Sequence, residues 1–205
     1  MQGRNGAFGE NMNLRTLHRL IRLPAALITR SVCTWLLALV LGYGLPIAHT
    51  PAQANNPLEY KVKAAFIYNF IAFTQWPEGV ANHTINLCIY GEDPFGKEID
   101  KLQEKSVGAR SIKVLRMQDA GQLKQCQVIF FSRSAGDNLS GILSGLASAP
   151  ILTLADNPNV MSQGIAINMN LVNDKIVFEI NLGIARKNGL DISSKLLQLA
   201  TKVHQ

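Results

Sequence analysis

The chain has 205 residues, and its formal net charge of +6, from 20 Lys and Arg against 14 Asp and Glu, invites a nucleic-acid reading. Five of the basic and one of the acidic residues precede residue 55, so residues 55–205 hold 15 against 13, a net charge of +2. That balance excludes a basic nucleic-acid surface on the remainder, which at 151 residues suffices for one domain with one core and shows no repeat, linker or low-complexity segment.

In chain order, residues 1–54 read as an export signal. Arg4, Arg15, Arg19, Arg22 and Arg30 precede an apolar run from Trp35 to Leu41, ended by Gly42-Tyr43-Gly44. Ala52-Gln53-Ala54 then offers the small-x-small pattern that a signal peptidase reads. The run is well short of the ~20 apolar residues of a membrane span; an uncleaved anchor is the alternative. The long basic segment leaves Met12 as an alternative start, and Cys33, ahead of the apolar core, does not fit a lipidation site. The expectation is cleavage after Ala54, releasing a domain over 55–205.

"LEYKVKAAFIYNFIAFTQWPEG", Leu58 to Gly79, predicts an opening helix ended by Pro77. At 100° per residue, Val62, Phe66, Phe70 and Phe73 form one stripe, widened by Ile67 and Ile71, that packs on a sheet. Lys61, Ala65, Tyr68, Ala72 and Gln75 share the opposite side. That side is either plain covering-helix surface or a contact surface centred on Lys61, Tyr68 and Ala72.

Ile85 to Tyr90 reads as a strand ending at Gly91-Glu92-Asp93, with Asp93 capping a helix that has Pro94 first and Phe95, Ile99 and Leu102 on one face. Ser111 to Arg116 is a second strand and Asp119 to Lys124 a short helix. "CQVIFFS", Cys126 to Ser132, is an apolar run of the kind buried in a parallel sheet. Ser134 is expected to cap a helix carrying Leu139, Ile142, Leu143 and Leu146, and Ile151 to Ala155 is a fourth strand. The alternation predicts a three-layer α/β domain, a mostly parallel sheet with helices on both faces.

The end of the sheet differs. "GIAINMNLVNDKIVFEIN" places two strands around the turn signal Asn173-Asp174. That turn pairs Leu171 with Ile176, Met169 with Phe178 and Ile167 with Ile180 on one side of an antiparallel hairpin. The other side sets Asn168 opposite Glu179 and Asn170 opposite Val177. Asn168 is the expected hydrogen-bond partner of a covered Glu179, a structural polar pair. A helix from Leu182 to about Lys187, a stop at Gly189 and a final helix from a Ser193 cap through Val203 close the chain.

Little of this carries chemistry. Residues 55–205 contain only His83 and His204, neither spaced for a metal site, and no G-x-S-x-G elbow or phosphate loop appears. No metal, cofactor or catalytic residue is expected, and Glu92-Asp93 reads as strand end plus cap. Ligands of open α/β sheets sit beyond the carboxyl ends of strands where strand order reverses. That rim would carry Gly91, Glu92 and Asp93 together with Ser132, Arg133 and Ser134. Cys88 and Cys126 are a disulfide candidate in an oxidising compartment, the alternative being two buried thiols. They are expected to be joined, because the first and third strands neighbour each other in doubly wound orders.

"EYKVKAAFIYNFIAFTQWP", "LCIYGEDPFG", "CQVIFFSRS", "ILTLAD", "GIAINMNLVNDKIVFEIN" and "SSKLLQLA" occur in the order found in YfiR-like proteins, and over Leu58 to Val203 the chain resembles that family. The resemblance implies a small periplasmic α/β protein that represses an inner-membrane diguanylate cyclase through its periplasmic sensory domain. It implies relief by an outer-membrane lipoprotein, and other membrane receptors as partners of some members. Cys88 and Cys126 match one disulfide pair of the name-giving member; its second pair has no counterpart here, so redox control through that bridge is not implied. Three functions follow in order: a dimeric periplasmic regulator, a small-ligand sensor or carrier using the rim at Ser132 to Ser134, and an unrecognised hydrolase.

Overall fold

The computed structural model describes residues 56–81 and 83–205; the expected export signal and the cleavage position after Ala54 lie outside the described residues. Helix α1 (Pro57–Ala72) is followed by a two-residue strand β1 (Thr74–Gln75) and by β2 (Thr84–Tyr90). A short helix α2 (Lys97–Asp100) and its trailing 3-10 turn lead into β3 (Ser106–Val107) and β4 (Arg110–Met117). A 3-10 turn over Ala120–Gln125 precedes β5 (Val128–Phe131), and a second over Arg133–Asn138 joins helix α3 (Leu139–Gly145) ahead of β6 (Leu152–Ala155). The hairpin β7 (Ile167–Val172) and β8 (Lys175–Asn181) then gives way to α4 (Leu182–Lys187) and β9 (Asp191–Ile192). Helix α5 (Ser194–Leu197) and β10 (Lys202–His204) follow.

The main sheet runs β10-β8-β7-β6-β5-β2-β4-β3, and β1 pairs with β9 in a separate antiparallel ribbon. From β4 to β7 all pairings are parallel. The five parallel strands, counted along the chain, lie in the order 2-1-3-4-5, a doubly wound arrangement that reverses between β2 and β5. The apolar runs of β5 and β6 are buried at every residue because helices or turns cover both faces there. One core lies between the sheet and α1, α2, α4 and α5, and holds Phe70, Phe95, Phe130, Phe178 and Leu196. The other lies under the Ala120–Gln125 turn and α3, and holds Leu123, Ile129, Phe131, Leu139 and Ile142. Cys88 in β2 and Cys126 before β5 are joined in this second core, with Cα atoms 6.0 Å apart.

The hairpin register is the expected one throughout, from Val172 opposite Lys175 to Ile167 opposite Ile180. Asn173 and Asp174 take φ of 49° and 59°, the left-handed pair that a two-residue turn matching the sheet twist requires.

Several local expectations are corrected. The buried stripe of α1 is Tyr60, Lys63, Ala64, Ile67, Phe70 and Ile71, while Val62 is exposed and Phe66 and Phe73 only half-buried. Apolar residues flank the stripe on both sides, so their pattern alone left the rotation of the helix about its axis undetermined. Asp93 accepts a hydrogen bond from the Phe95 amide but caps a turn, not a helix; α2 starts only after Gly96. Ser134 lies inside the Arg133–Asn138 turn and caps nothing. The last helix stops at Leu197, and residues 202–204 leave it to pair in parallel with β8 as the sheet edge. A free strand edge was available there, and Thr201 is held to the Phe178 carbonyl by both its amide and its hydroxyl, each at 2.9 Å.

Candidate functional site

Three segments meet at the reversal between β2 and β5: the first turns of α1, the loop after β2, and the loop after β5. Asn56 accepts a hydrogen bond from the Leu58 amide, and Pro57 takes the first helical position, which fixes where α1 begins. Glu59, Tyr60 and Lys63 are thereby brought over the carboxyl end of β6, where Asp156 follows Ala155.

The Lys63 side chain is wholly buried. Its Nζ lies 2.5 Å from Asp156 Oδ2 and 2.5 Å from Glu59 Oε1, and 4.4 Å from the centre of the Tyr60 ring. Tyr60 donates its hydroxyl to the same Asp156 oxygen at 2.7 Å, and the Arg133 guanidinium lies 3.6 Å from Asp156 and 3.7 Å from Glu59. Two carboxylates thus face two cations. Burial, and next the Asp156 charge, push the Tyr60 phenol well above its ordinary range, so it remains a donor. Taking an ammonium and a carboxylate out of water is costly unless each is paired and hydrogen-bonded; here the four charges offset one another, with Asp156 Oδ1 left without a hydrogen-bond partner among the described residues. The arrangement fastens α1 to the sheet.

The rim named from the sequence does converge. Ser132, Arg133 and Ser134 line a hollow of about 120 Å3 with Tyr60, Glu92, Asp93 and Pro94. Gly91, at φ +91°, permits the closeness: a Cβ there would lie 2.4 Å from Ser132 Oγ and 2.6 Å from Ser134 Oγ. The serine hydroxyls and the Asp93 carboxylate of the rim are already engaged. The two serine hydroxyls are 2.9 Å apart, Ser134 Oγ accepts from the Glu92 amide, and Asp93 accepts from Arg116 Nε at 2.8 Å. Arg116 also meets Asp100 at 2.8 Å; that hydrogen bond, ahead of those from Asp93, raises its pKa.

On the far face of α1, Lys61 and Ala72 are exposed and Tyr68 is half-buried. The Tyr68 hydroxyl donates to the Ser106 carbonyl at 3.1 Å and Lys105 Nζ sits 5.4 Å from its ring centre, so this aromatic also ties α1 to the β3–β4 hairpin. Asn168 and Glu179 stand opposite each other as expected, but the pair is not hydrogen-bonded. Glu179 is bonded to His204 at 2.7 Å, and Asn168 donates to the Asn157 carbonyl and to Asn170. That correction follows from β10: with a helix expected through Val203, nothing placed His204 beside Glu179.

Sequence reasoning missed Glu59, Lys63, Asp156 and His204. A signal for the first two existed, since Glu59 and Lys63 stand four apart and Lys63 shares a helical stripe with Tyr60, Ile67 and Phe70. Asp156, one residue past an apolar strand, carried none. Among the described residues no group of three or more His, Cys, Asp or Glu could hold a metal ion, and no helix is long and apolar enough to cross a membrane.

No curated protein matches the chain. Among solved structures it is similar to a conserved domain protein from Vibrio cholerae O1 biovar eltor, at 10% identity and a TM-score of 0.45. It is also similar to an ABC domain in complex with L-Trp from Streptococcus pneumonia, at 10% identity and a TM-score of 0.47. In each case 70% of this chain is covered, and it spans 60% of the length of the solved chain. The family model described as YfiR/HmsC-like matches residues 60–201, from the buried Tyr60 to the start of the edge strand. The chain belongs to the YfiR/HmsC-like family.

Proposed function

We propose that this protein is a periplasmic regulator that represses an inner-membrane diguanylate cyclase by binding its periplasmic sensory domain. It thereby lowers cyclic-di-GMP signalling without handling the nucleotide itself. The observation that carries this reading is the family match over residues 60–201. The charged cluster under α1 supports it, because Lys63, Asp156, Glu59 and Tyr60 are bonded to one another and serve to hold a helix in place. The exposed side of that helix, with Lys61, Tyr68 and Ala72, is the proposed contact surface, and the chain acts as a homodimer, with an outer-membrane lipoprotein competing for it. Residues 1–54 are the export signal in this reading, removed after Ala54. A small-ligand carrier using Ser132 to Ser134 has less support, since that hollow is small and its polar groups bond one another.

Deletion of the gene should raise a cyclic-di-GMP reporter, and the wild-type chain should restore it. Ala72→Arg should leave the melting curve unchanged but fail to restore repression, and Tyr68→Ala should weaken it. A reporter indifferent to the deletion, or envelope pull-downs without a membrane receptor, would overturn the proposal.

A further inference from the structure

The second side of the sheet is covered only in part. Its apolar core ends at Ala155, Val160 and Ile165. Beyond it, the side chains of β7, β8 and β10 that point away from α1 form the floor of a cleft of about 660 Å3, walled by the loop around Ser162. Those that line it are Asn168 and Asn170, Glu179 and Asn181, and His204; strand alternation puts Lys202 on the same side, outside the lining. The opposite side of the same strands carries Ile167, Met169, Phe178 and Ile180 in the core. The volume lies within the ~300–1,000 Å3 of small-molecule sites.

Its chemistry is narrow. Among the described residues no lysine, arginine, phenylalanine, tyrosine or tryptophan lines it, so neither anion recognition by paired cations nor stacking on a benzene or indole ring is provided. Among the described residues the one side-chain carboxylate that lines it, Glu179, is bonded to the imidazole of His204 at 2.7 Å. What remains is a bed of side-chain amides. The Asn168 amide is held in one orientation by its Nδ2, which donates to the Asn157 carbonyl at 2.9 Å and to Asn170 Oδ1 at 3.2 Å. Asn168 is 2% exposed, and its Oδ1 has no hydrogen-bond partner among the described residues. That oxygen is enclosed, so the groups open to the cleft are those of the partly exposed Asn170, Glu179, Asn181 and His204. Asn181 is fixed as well, its Oδ1 accepting from the Ile184 amide at the start of α4.

We propose that this cleft binds a small uncharged polyhydroxylated ligand, a sugar or sugar alcohol. Adjacent hydroxyls are each donor and acceptor, and the floor offers amide and carboxylate groups of both kinds at fixed positions. The site lies on the sheet side opposite α1, so ligand binding and partner contact occupy different faces of the domain.

The test is a two-dimensional amide NMR titration of the exported, purified protein with D-glucose, maltose and sorbitol in the millimolar range, with inorganic phosphate as counter-probe. The expected result is saturable shifts for at least one of the three at Asn168, Asn170, Glu179 and His204. Asn170→Ala and Glu179→Gln should each weaken binding about tenfold, the loss of one hydrogen bond, with Asn170→Ala melting like the parent. The proposal is overturned by no saturable shift with any of the three or by affinity unchanged in both variants. Shifts centred on Ser132 to Ser134, or a stronger response to phosphate at the cleft, would overturn it equally.

Discussion

The molecule has two polar groupings on its sheet, and they are built to opposite specifications. Under α1, five ionisable groups, Glu59, Tyr60, Lys63, Arg133 and Asp156, are packed at the end of β6, with Lys63 and Asp156 side chains wholly buried. On the far side of β7, β8 and β10, amides and one carboxylate–imidazole pair lie at a cleft; the Glu179 and His204 side chains are 27% and 29% exposed. Depth explains the difference. Buried charges must be partnered in the fold itself, and Lys63 has both Glu59 and Asp156, although Asp156 Oδ1 has no hydrogen-bond partner among the described residues. The members of the second that touch water, Asn170, Glu179, Asn181 and His204, need no such closure and remain available, unlike the enclosed Asn168.

The sharpest test of that contrast is Lys63→Ala, which leaves Glu59 and Asp156 facing each other beneath α1. Breaking a buried pair from one side typically costs about 3–5 kcal/mol, so the urea midpoint should drop steeply or the domain should fail to fold. A loss below about 1 kcal/mol, the level of exposed pairs, would erase the distinction between the groupings.

Next in size is the bridge that secures the covered part of the second sheet side. Cys88 and Cys126 close a loop across a sequence separation of 38 residues, and replacing both by Ser should cost about 2–4 kcal/mol. Thiol counting on denatured, unreduced protein should find no free thiol among the two; finding both would remove the bridge from the account.

Tyr60→Phe probes the closed grouping through pH. The folded-state phenol is raised above its ordinary value near 10, so above that pH the unfolded chain ionises while the folded one does not. Stability should therefore fall from about pH 10 upward, and Tyr60→Phe should flatten this alkaline decline. At neutral pH the variant should lose about 1.5–3 kcal/mol, as for a hydrogen bond to a charged group. Parent and variant curves that stay parallel to pH 11 would mean that Asp156 does not hold the phenol.

The smallest effect belongs to the open grouping. Glu179→Ala should shift stability by under about 1 kcal/mol, because its pair with His204 is water-exposed. A loss as large as that of Lys63→Ala would show the cleft floor to be part of the core scaffold.

Both groupings were unequally legible beforehand. The hairpin was readable to the residue, because a period of two and an Asn-Asp turn leave one register that keeps Ile167, Met169, Phe178 and Ile180 together. The rim at Ser132 to Ser134 was expected from the rule for open α/β sheets, although the helix start expected there is a 3-10 turn. The rotation of α1 was not, because Phe66 and Phe73 are as apolar as Ile67 and Ile71, and a lysine at the centre of a buried stripe runs against composition. Nor was the edge strand. Val203 and His204 continue a helical pattern locally, and only the unpaired edge of β8 draws them into the sheet.

Alternation of apolar runs, turn residues at Asn173 and Asp174 and a helix stop at Gly189 determined the parallel strands, the hairpin and their order along the chain, since these are local constraints on backbone and side-chain period. Tertiary structure alone decided which carboxylate meets Lys63 and which side chain meets Glu179. Asp156 lies 93 residues from Lys63, and His204 lies 25 from Glu179. Partners at such separations are chosen by where buried or half-buried charge must be neutralised after the layers have packed, a requirement that no local pattern encodes.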